Sequence, residues 1–292
     1  MDDLISKAEV LLEALPYIQK FNGATFVVKY GGSFMDSPDP AIRESVARDV
    51  VFLEAVEINP VVVHGGGKAI SRAMMEAGLT PEFKQGHRVT DEQTVTLVNE
   101  ILSNRINPEV VGSLNALGGV ARGFAGTEIF KCRRKLIAGT QGEEINIGYV
   151  GEVAEVNTRP LLECIANGVT PVISPTAIGE DGHVYNCNAD VAAAMTAKAL
   201  RARRLVFMSD VPGLLQDPQD PSSVISHLRI RDVTALKERG IIASGMIPKV
   251  DSAIVAIAAG VDKVSFVDGR VNHAVLLDIF TDKGVGTEVV AD

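Results

Sequence analysis

Apolar residues recur along the chain in two rhythms that alternate. Leu4, Ala8, Leu11, Leu12, Leu15 and Ile18 repeat at helical spacing with Lys7, Glu9 and Glu13 between them. They predict an amphipathic helix over residues 3–20, interrupted or bent near Pro16. Short β-branched runs follow, Thr25–Tyr30 and Pro60–His64, each ending in glycines and separated by a helical pattern over 40–57. A helix follows Gly67, and a longer one begins near Asp91, where Thr90 or Asp91 can cap it. Further strands are expected at Thr170–Ser174, Arg204–Ser209 and Lys263–Val267, with helices at 188–201, 230–239, 248–259 and 272–280. Continuous apolar strands alternating with helices predict an α/β fold, an open and mostly parallel central sheet with helices on both faces. Residues 120–155 differ: short runs between glycines there predict hairpins. No linker or internal repeat divides the chain. We expect an N-terminal helix over 1–22 and two lobes, 23–180 and 181–292, meeting at a soft boundary in the turn-rich 175–190 segment.

With 292 residues, 46% of them apolar, the chain can bury a sizeable core. Its net charge of −9 argues against nucleic acid or an anionic membrane as partner. The basic clusters at 131–135 and 201–204 lack interleaved aromatics and read as solvated faces. Three widely spaced cysteines (Cys132, Cys164, Cys187), with no CxxC pair and no Cys/His ligand set, predict neither disulfides nor a protein-bound metal. No signal peptide and no membrane-spanning apolar run is visible, so a cytoplasmic protein is expected.

The candidate chemistry lies at two strand-to-glycine junctions. One strand delivers Lys29 and then Gly31-Gly32-Ser33; another delivers His64 and then Gly65-Gly66-Gly67. Glycines after a strand let backbone N–H groups approach an anion, and a following helix N-terminus adds positive partial charge. The phosphate-loop pattern GxxxxGK[ST] is absent, since Gly67-Lys68 is followed by Ala69, and no GxGxxG follows a strand. A lysine within an apolar strand needs a partner or a task, because buried lysine is rarely unpaired. Residue chemistry alone leaves Lys29 open between a salt-bridged lysine and a phosphate contact. It likewise leaves Lys249 as a helix-start lysine and Asp190 as a helix cap.

The segments VVKYGGS (27–33), VVVHGGGKAI (61–70), QGHRVTDEQT (85–94), YNCNADVAA (185–193), VFMSDVPGLL (206–215) and SGMIPKV (244–250) resemble, in order, those of the N-acetylglutamate kinases. The closing stretch 268–289 is similar too, so the resemblance runs from about residue 4 to the end. KxGG followed by HGGG points to the wider amino-acid kinase family; GxRVT, NxNAD and GMIPKV point to the acetylglutamate branch.

The resemblance implies transfer of the ATP γ-phosphoryl group to the side-chain carboxylate of N-acetyl-L-glutamate. Such a carboxylate is already ionised near neutrality, with a pKa of about 4.3, so no general base is needed. That agrees with the lack of any Ser/His/Asp or Cys/His constellation. By resemblance, Lys29 and Lys249 stabilise the transferring group and Asp190 orients them. Arg88 and Asn186 bind the acid, Gly65 and Gly66 approach it, and Gly31 and Gly32 approach the phosphates. Asp210, Val211, Pro212, Gly213, Leu214, Leu215, Ile241, Ile242 and Ala243 surround the nucleotide. Mg²⁺ is expected on the phosphates, not in a carboxylate cage. Ser33, His87 and Cys187 depart from the usual asparagine, leucine and apolar residue of the family.

The N-terminal helix with LPYI (15–18) resembles that of arginine-inhibited members, in which it interlaces with a neighbour and joins three dimers into a hexamer. Tyr17, His273, Gly284 and Gly286 then fall where arginine would bind. The pattern alone equally allows a helix packed on its own core. Rival readings are an N-acetyl-aminoadipate, aspartate or uridylate kinase, a non-catalytic amino-acid sensor, and a dehydrogenase. GxRVT and NxNAD weigh against the aspartate and uridylate kinases, and retention of Lys29, Asp190 and Lys249 against the sensor. The want of a fingerprint loop weighs against the dehydrogenase.

Overall fold

The computed structural model describes residues 2–31, 39–139, 143–243, 245–281 and 284–291; Gly32, Ser33 and Ser244 lie outside the described residues. Helix α1 (Asp2–Phe21) leads into β1 (Thr25–Tyr30), α2 (Pro40–Ala55), β2 (Asn59–His64) and α3 (Gly67–Glu76). A two-residue ladder, β3 (Phe83–Lys84) and β4 (His87–Arg88), precedes α4 (Glu92–Asn99). A π-helical stretch, Glu100–Ile106, then joins α4 to α5 (Asn107–Ala116). Next come β5 (Ala121–Phe124), α6 (Gly126–Ile129), β6 (Phe130–Ala138), β7 (Glu144–Val156), α7 (Arg159–Ala166), β8 (Thr170–Ile173), β9 (Thr176–Gly179) and β10 (Val184–Cys187). The remainder is α8 (Ala189–Leu200), β11 (Arg204–Ser209), β12 (His227–Arg229), α9 (Val233–Glu238), α10 (Met246–Ala258), β13 (Lys263–Asp268), α11 (Ala274–Ile279) and β14 (Thr287–Val290).

Helix α1 passes through Pro16 without a break, contrary to the expected interruption. A proline inside a helix forfeits one hydrogen bond, and burial of Phe21 and half-burial of Tyr17 and Ile18 against the body offset that loss. At Asp91 the expected cap is present, its carboxylate accepting from the Thr94 N–H at 2.7 Å.

Eight strands form one sheet in the order β12-β14-β13-β11-β1-β2-β8-β5. Only the β13–β14 pair is antiparallel. β1 lies between β2 and β11, with Lys29 beside Val63 and Phe207. Alternation along β1 sends Phe26, Val28 and Tyr30 into a core shared with α2, α3 and α11, and Val27 into a second core shared with α8 and α10. Lys29 shares the parity of Val27 and so points to the α8 face, at the carboxyl end of the strand. In open α/β sheets that end is where ligands bind.

Strands β6, β7, β9 and β10 close into a small barrel, β10-β7-β6-β9, beside the main sheet. The glycine-spaced runs predicted hairpins, and β6 and β7 do form one. Closure adds the parallel pairs β6–β9 and β7–β10, which join strands far apart in the chain. The segment 175–190 holds β9, β10 and the first turn of α8.

Candidate active site

Helix α8 starts at the carboxyl end of β10, and its cap decides what Asp190 is free to do. The Asn188 side chain accepts from the N–H groups of Asp190 (2.8 Å) and Val191 (3.2 Å). Asn188 therefore satisfies two of the orphan donors of the first turn, and the Asp190 carboxylate is released to other partners. Its Oδ2 accepts from Lys249 Nζ at 2.8 Å, and its Oδ1 lies 3.1 Å from Lys29 Nζ. Each ammonium meets its own oxygen of the carboxylate, and an ammonium carries three donors. Lys29 thus keeps donors to spare. Lys249 comes from the first turn of α10, which packs on α8.

All three side chains are at most 17% exposed. Burial raises the cost of ionising Asp190, but Lys29 and Lys249 outweigh it and hold the carboxyl at about 2. Burial pushes Lys29 below the ordinary lysine value, Lys249 adds repulsion, and Asp190 opposes both. Asp190 thus serves two cations with one carboxylate, and Asp210 adds a weaker attraction on Lys29.

Lys29 and Asp190 belong to the wall of a cavity of about 250 Å³ that also includes Gly31, Gly65, Gly66, Arg88 and Asn186. Gly31 stands where a Cβ would lie 3.0 Å from Lys29 Nζ and 3.1 Å from the Gly65 nitrogen, so any side chain there would displace the lysine. Gly65 lines the cavity, but its N–H already donates to the Tyr30 carbonyl at 2.7 Å, tying the two glycine turns together. At Gly66 a Cβ would come within 2.6 Å of Leu102 and Ile106 of the π-helical stretch. A Cβ at either turn would thus crowd its neighbours, Lys29 and the Gly65 nitrogen at one and the side-chain ends of Leu102 and Ile106 at the other.

Arg88 is 7% exposed and makes no ion pair with a described residue. Its Nη2 donates to the Gly67 carbonyl (2.9 Å) and Ser71 Oγ (2.8 Å), its Nη1 to Met74 Sδ (3.2 Å), and its plane lies over the Phe83 ring. Buried guanidinium without a carboxylate partner is rare, and Arg88 is part of the cavity wall. Asn186 Nδ2 donates to Thr90 Oγ1 at 3.4 Å, and its side-chain carbonyl has no partner among the described residues. His87 lines the same cavity and is half-buried.

The expected nucleotide set is less concentrated. A larger cavity, about 760 Å³, reaches Asp210, but neither cavity includes Val211–Leu215 or Ile241–Ala243. Leu214 and Ile242 are core residues, each 1% exposed, so only their backbone could meet a ligand. Gly213 packs against Thr287, whose Oγ1 accepts from the Leu214 N–H at 2.7 Å. Three of the four residues assigned to arginine surround α11. Tyr17 meets Phe280 edge-on at 6.3 Å between centroids, His273 Nδ1 lies 2.6 Å from Asp49 Oδ1, and Gly284 sits beside Asp278. Gly286 turns instead to the backbone of Phe266 and Pro212.

Sequence reasoning missed Asn188 as the cap, Ser71 and Met74 as supports of Arg88, and the buried pair His64–Asn107. The cap was legible as an asparagine just before a helical run; the other contacts join distant segments with no local signal.

The amino acid kinase family profile matches residues 24–268. The acetylglutamate kinase of Geobacter sulfurreducens is 46% identical over 296 residues, covering 99% of each chain. That of Heliobacterium modesticaldum is 44% identical over 292 residues, covering 98% of each. Among solved structures, the N-acetylglutamate synthase of Neisseria gonorrhoeae complexed with coenzyme A and N-acetyl-glutamate superposes with a TM-score of 0.83 at 22% identity, over 98% of this chain and 63% of that one. The same synthase complexed with coenzyme A and L-arginine gives 0.78 at 24%, over 97% and 65%. At that identity the likeness shows the fold, while the relatives above 40% identity and the profile fix the lineage. The chain belongs to the amino acid kinase family, in its acetylglutamate kinase branch.

Proposed function

We propose that the chain transfers the γ-phosphoryl group of ATP to the side-chain carboxylate of N-acetyl-L-glutamate, a step of arginine biosynthesis. One observation carries this reading: Lys29 and Lys249 share the single carboxylate of Asp190, and Lys29 and Asp190 line a cavity with Arg88, which has no carboxylate partner among the described residues. The obstacle to this reaction is the approach of a carboxylate to a polyphosphate, and fixed positive charge is what lowers it.

An oxygen of the acid bonds to the γ-phosphorus as the bond from that phosphorus to the β–γ bridging oxygen breaks. ADP leaves, and no proton moves. Lys29 faces the transferring group from the acid side and Lys249 from the nucleotide side, with Asp190 setting their spacing. Arg88 meets the α-carboxylate of the acid through the hydrogens left on Nη1 and Nε, and the Asn186 side-chain carbonyl accepts from the acetamido N–H. In this reading residues 23–180 form the acid-binding lobe and 181–292 the nucleotide-binding lobe. Mg²⁺ travels on the nucleotide's phosphate oxygens. Among the described residues no three His, Cys, Asp or Glu side chains converge to cage a metal.

Feedback inhibition by arginine and assembly of three dimers through α1 belong to the same proposal. They are supported by the apolar face that α1 exposes, with Val10, Leu11 and Leu12 each more than 60% exposed, and by the grouping of Tyr17, His273 and Gly284 around α11. Among the described residues no helix is long and apolar enough to cross a membrane, and a cytoplasmic site of action accords with the proposed substrates. ADP release is to be compared for N-acetylglutamate, glutamate, aspartate and N-acetyl-aminoadipate, each with and without millimolar arginine. The reading expects turnover with N-acetylglutamate at least tenfold above the others and suppression by arginine; equal turnover of another acid would move the substrate assignment.

A further inference from the structure

His64 ends β2 and is fully buried, yet phosphoryl transfer to a carboxylate gives it no proton to move. Its ring is held between two partners. Nδ1 lies 2.8 Å from the Gly65 carbonyl oxygen, and Nε2 lies 3.3 Å from the side-chain Nδ2 of Asn107. The Asn107 amide is itself oriented, because Nδ2 also faces the carbonyl oxygens of Val172 (3.0 Å) and Phe124 (3.5 Å). A carbonyl oxygen only accepts and an amide N–H only donates. One form of the ring satisfies both contacts: neutral, with its hydrogen on Nδ1 and its lone pair on Nε2.

Gly65 is therefore gripped at both ends, its N–H by the Tyr30 carbonyl and its oxygen by His64. In a planar trans peptide the C=O of one residue and the N–H of the next point to opposite sides. With the Gly65 oxygen drawn to the buried ring, the Gly66 N–H faces the other way. That N–H has no partner among the described residues, and Gly66 lines the cavity with Lys29 and Arg88. Leu102 and Ile106 press on Gly66 from the π-helical stretch, and Asn107 is the residue immediately after it. The widened helical turn thus supplies both the apolar lid on the glycines and the amide that fixes the imidazole. π-Helical insertions of this kind occur frequently at functional sites.

We infer that His64 is a positioning residue for phosphoryl transfer: its Nδ1-protonated imidazole, oriented by Asn107, clamps the Gly65–Gly66 peptide so that the Gly66 N–H is presented to the anion in the cavity. A reversed peptide would place the Gly65 oxygen, with its negative partial charge, against the acid or the transferring phosphoryl group. Burial pushes His64 down to about 4, so the ring stays neutral at working pH. The inference rests on the kinase reading of the cavity.

The test compares His64→Leu, which removes both ring contacts, with His64→Asn, whose side-chain amide can still donate toward the Gly65 oxygen. We expect His64→Leu to lower kcat at least tenfold with the KM for ATP changed less than twofold, and His64→Asn to recover at least a third of the wild-type kcat. Removal of one preorganised oxyanion donor costs about 10²–10³-fold in other enzymes, so tenfold is a conservative floor. Equal losses in the two variants, tracking their melting temperatures, would reduce His64 to a packing residue, and so would wild-type kcat in His64→Leu. ¹⁵N NMR of the wild-type imidazoles stands independently of whether the variants fold. For the His64 ring a protonated Nδ1 and bare Nε2, unchanged from pH 5.5 to 9, are expected; an Nε2–H tautomer or a titration of that ring in that range would overturn the clamp. Wild-type protein inert toward every acid would count against the kinase reading instead, leaving the clamp to be judged by the NMR result.

Discussion

Asp190 serves two ammonium groups with one carboxylate, and the acid limb of the protein's pH response follows from it. Its folded value of about 2 lies below the ordinary aspartate value of about 3.9. The resulting stabilisation is fully present above pH 4 and is lost as pH falls toward 2, on the order of 2 kcal/mol. Wild type and Asp190→Asn should therefore converge in stability between pH 4 and 2, measured by urea unfolding; a constant gap would mean the carboxylate is not held down. Lys29 shifts the other limb. Burial lowers its value, so kcat should decline at a pH below the ordinary lysine range of about 10.4, in a profile that Lys29→Arg moves upward. Arg88→Lys replaces a planar fork by a point charge and should raise the KM for the acid about tenfold with kcat less affected, which steady-state kinetics will show.

At the scale of elements, the first turn of α8 carries the site because Asn188 takes over the capping that Asp190 would otherwise perform. Asn188→Ala should cost about 1 kcal/mol, lowering Tm by about 2 °C. It should also lower kcat by more than that stability loss explains, because Asp190 loses its fixed approach to both lysines. The strands were readable from their apolar runs: β1 and β11 lie where the pattern placed them, and Lys29 stood out as a charge in an apolar strand. The π-helical stretch was not readable, since seven residues of π-helix inside a long helix hardly alter the apolar period. Barrel closure was hidden too, because the β6–β9 and β7–β10 pairings join strands remote in sequence. Pro16 misled in the other direction: local propensity predicts a break, and burial of the residues after it outweighs that propensity. Arg88 stood out in the sequence as a candidate fork for a carboxylate; that it makes no ion pair with a described residue is a fact of three dimensions.

Across the whole molecule, the sheet places β1 and β2, which end in the two glycine turns, beside β11, whose following loop carries the expected nucleotide residues 210–215. The segment carrying Gly284 and Gly286 touches both sides of this arrangement. It packs on Asp278 near α11 and, through Gly286 and Thr287, on Pro212, Gly213 and Leu214. A ligand at α11 could thus act on the nucleotide side through one short segment. Removing residues 1–20 should abolish arginine inhibition and reduce the assembly to dimers by light scattering, while retaining phosphoryl transfer. An unchanged mass after truncation would assign the exposed apolar face of α1 another role.

The most direct measurement is acyl phosphate formation from ATP and N-acetylglutamate, trapped with hydroxylamine, in wild type and Lys29→Ala. The two lysines held by Asp190 predict hydroxamate from the wild type and a fall of about 10²-fold or more in the variant, with both proteins folded. Wild-type levels of hydroxamate from Lys29→Ala would contradict the role assigned to the two-lysine site.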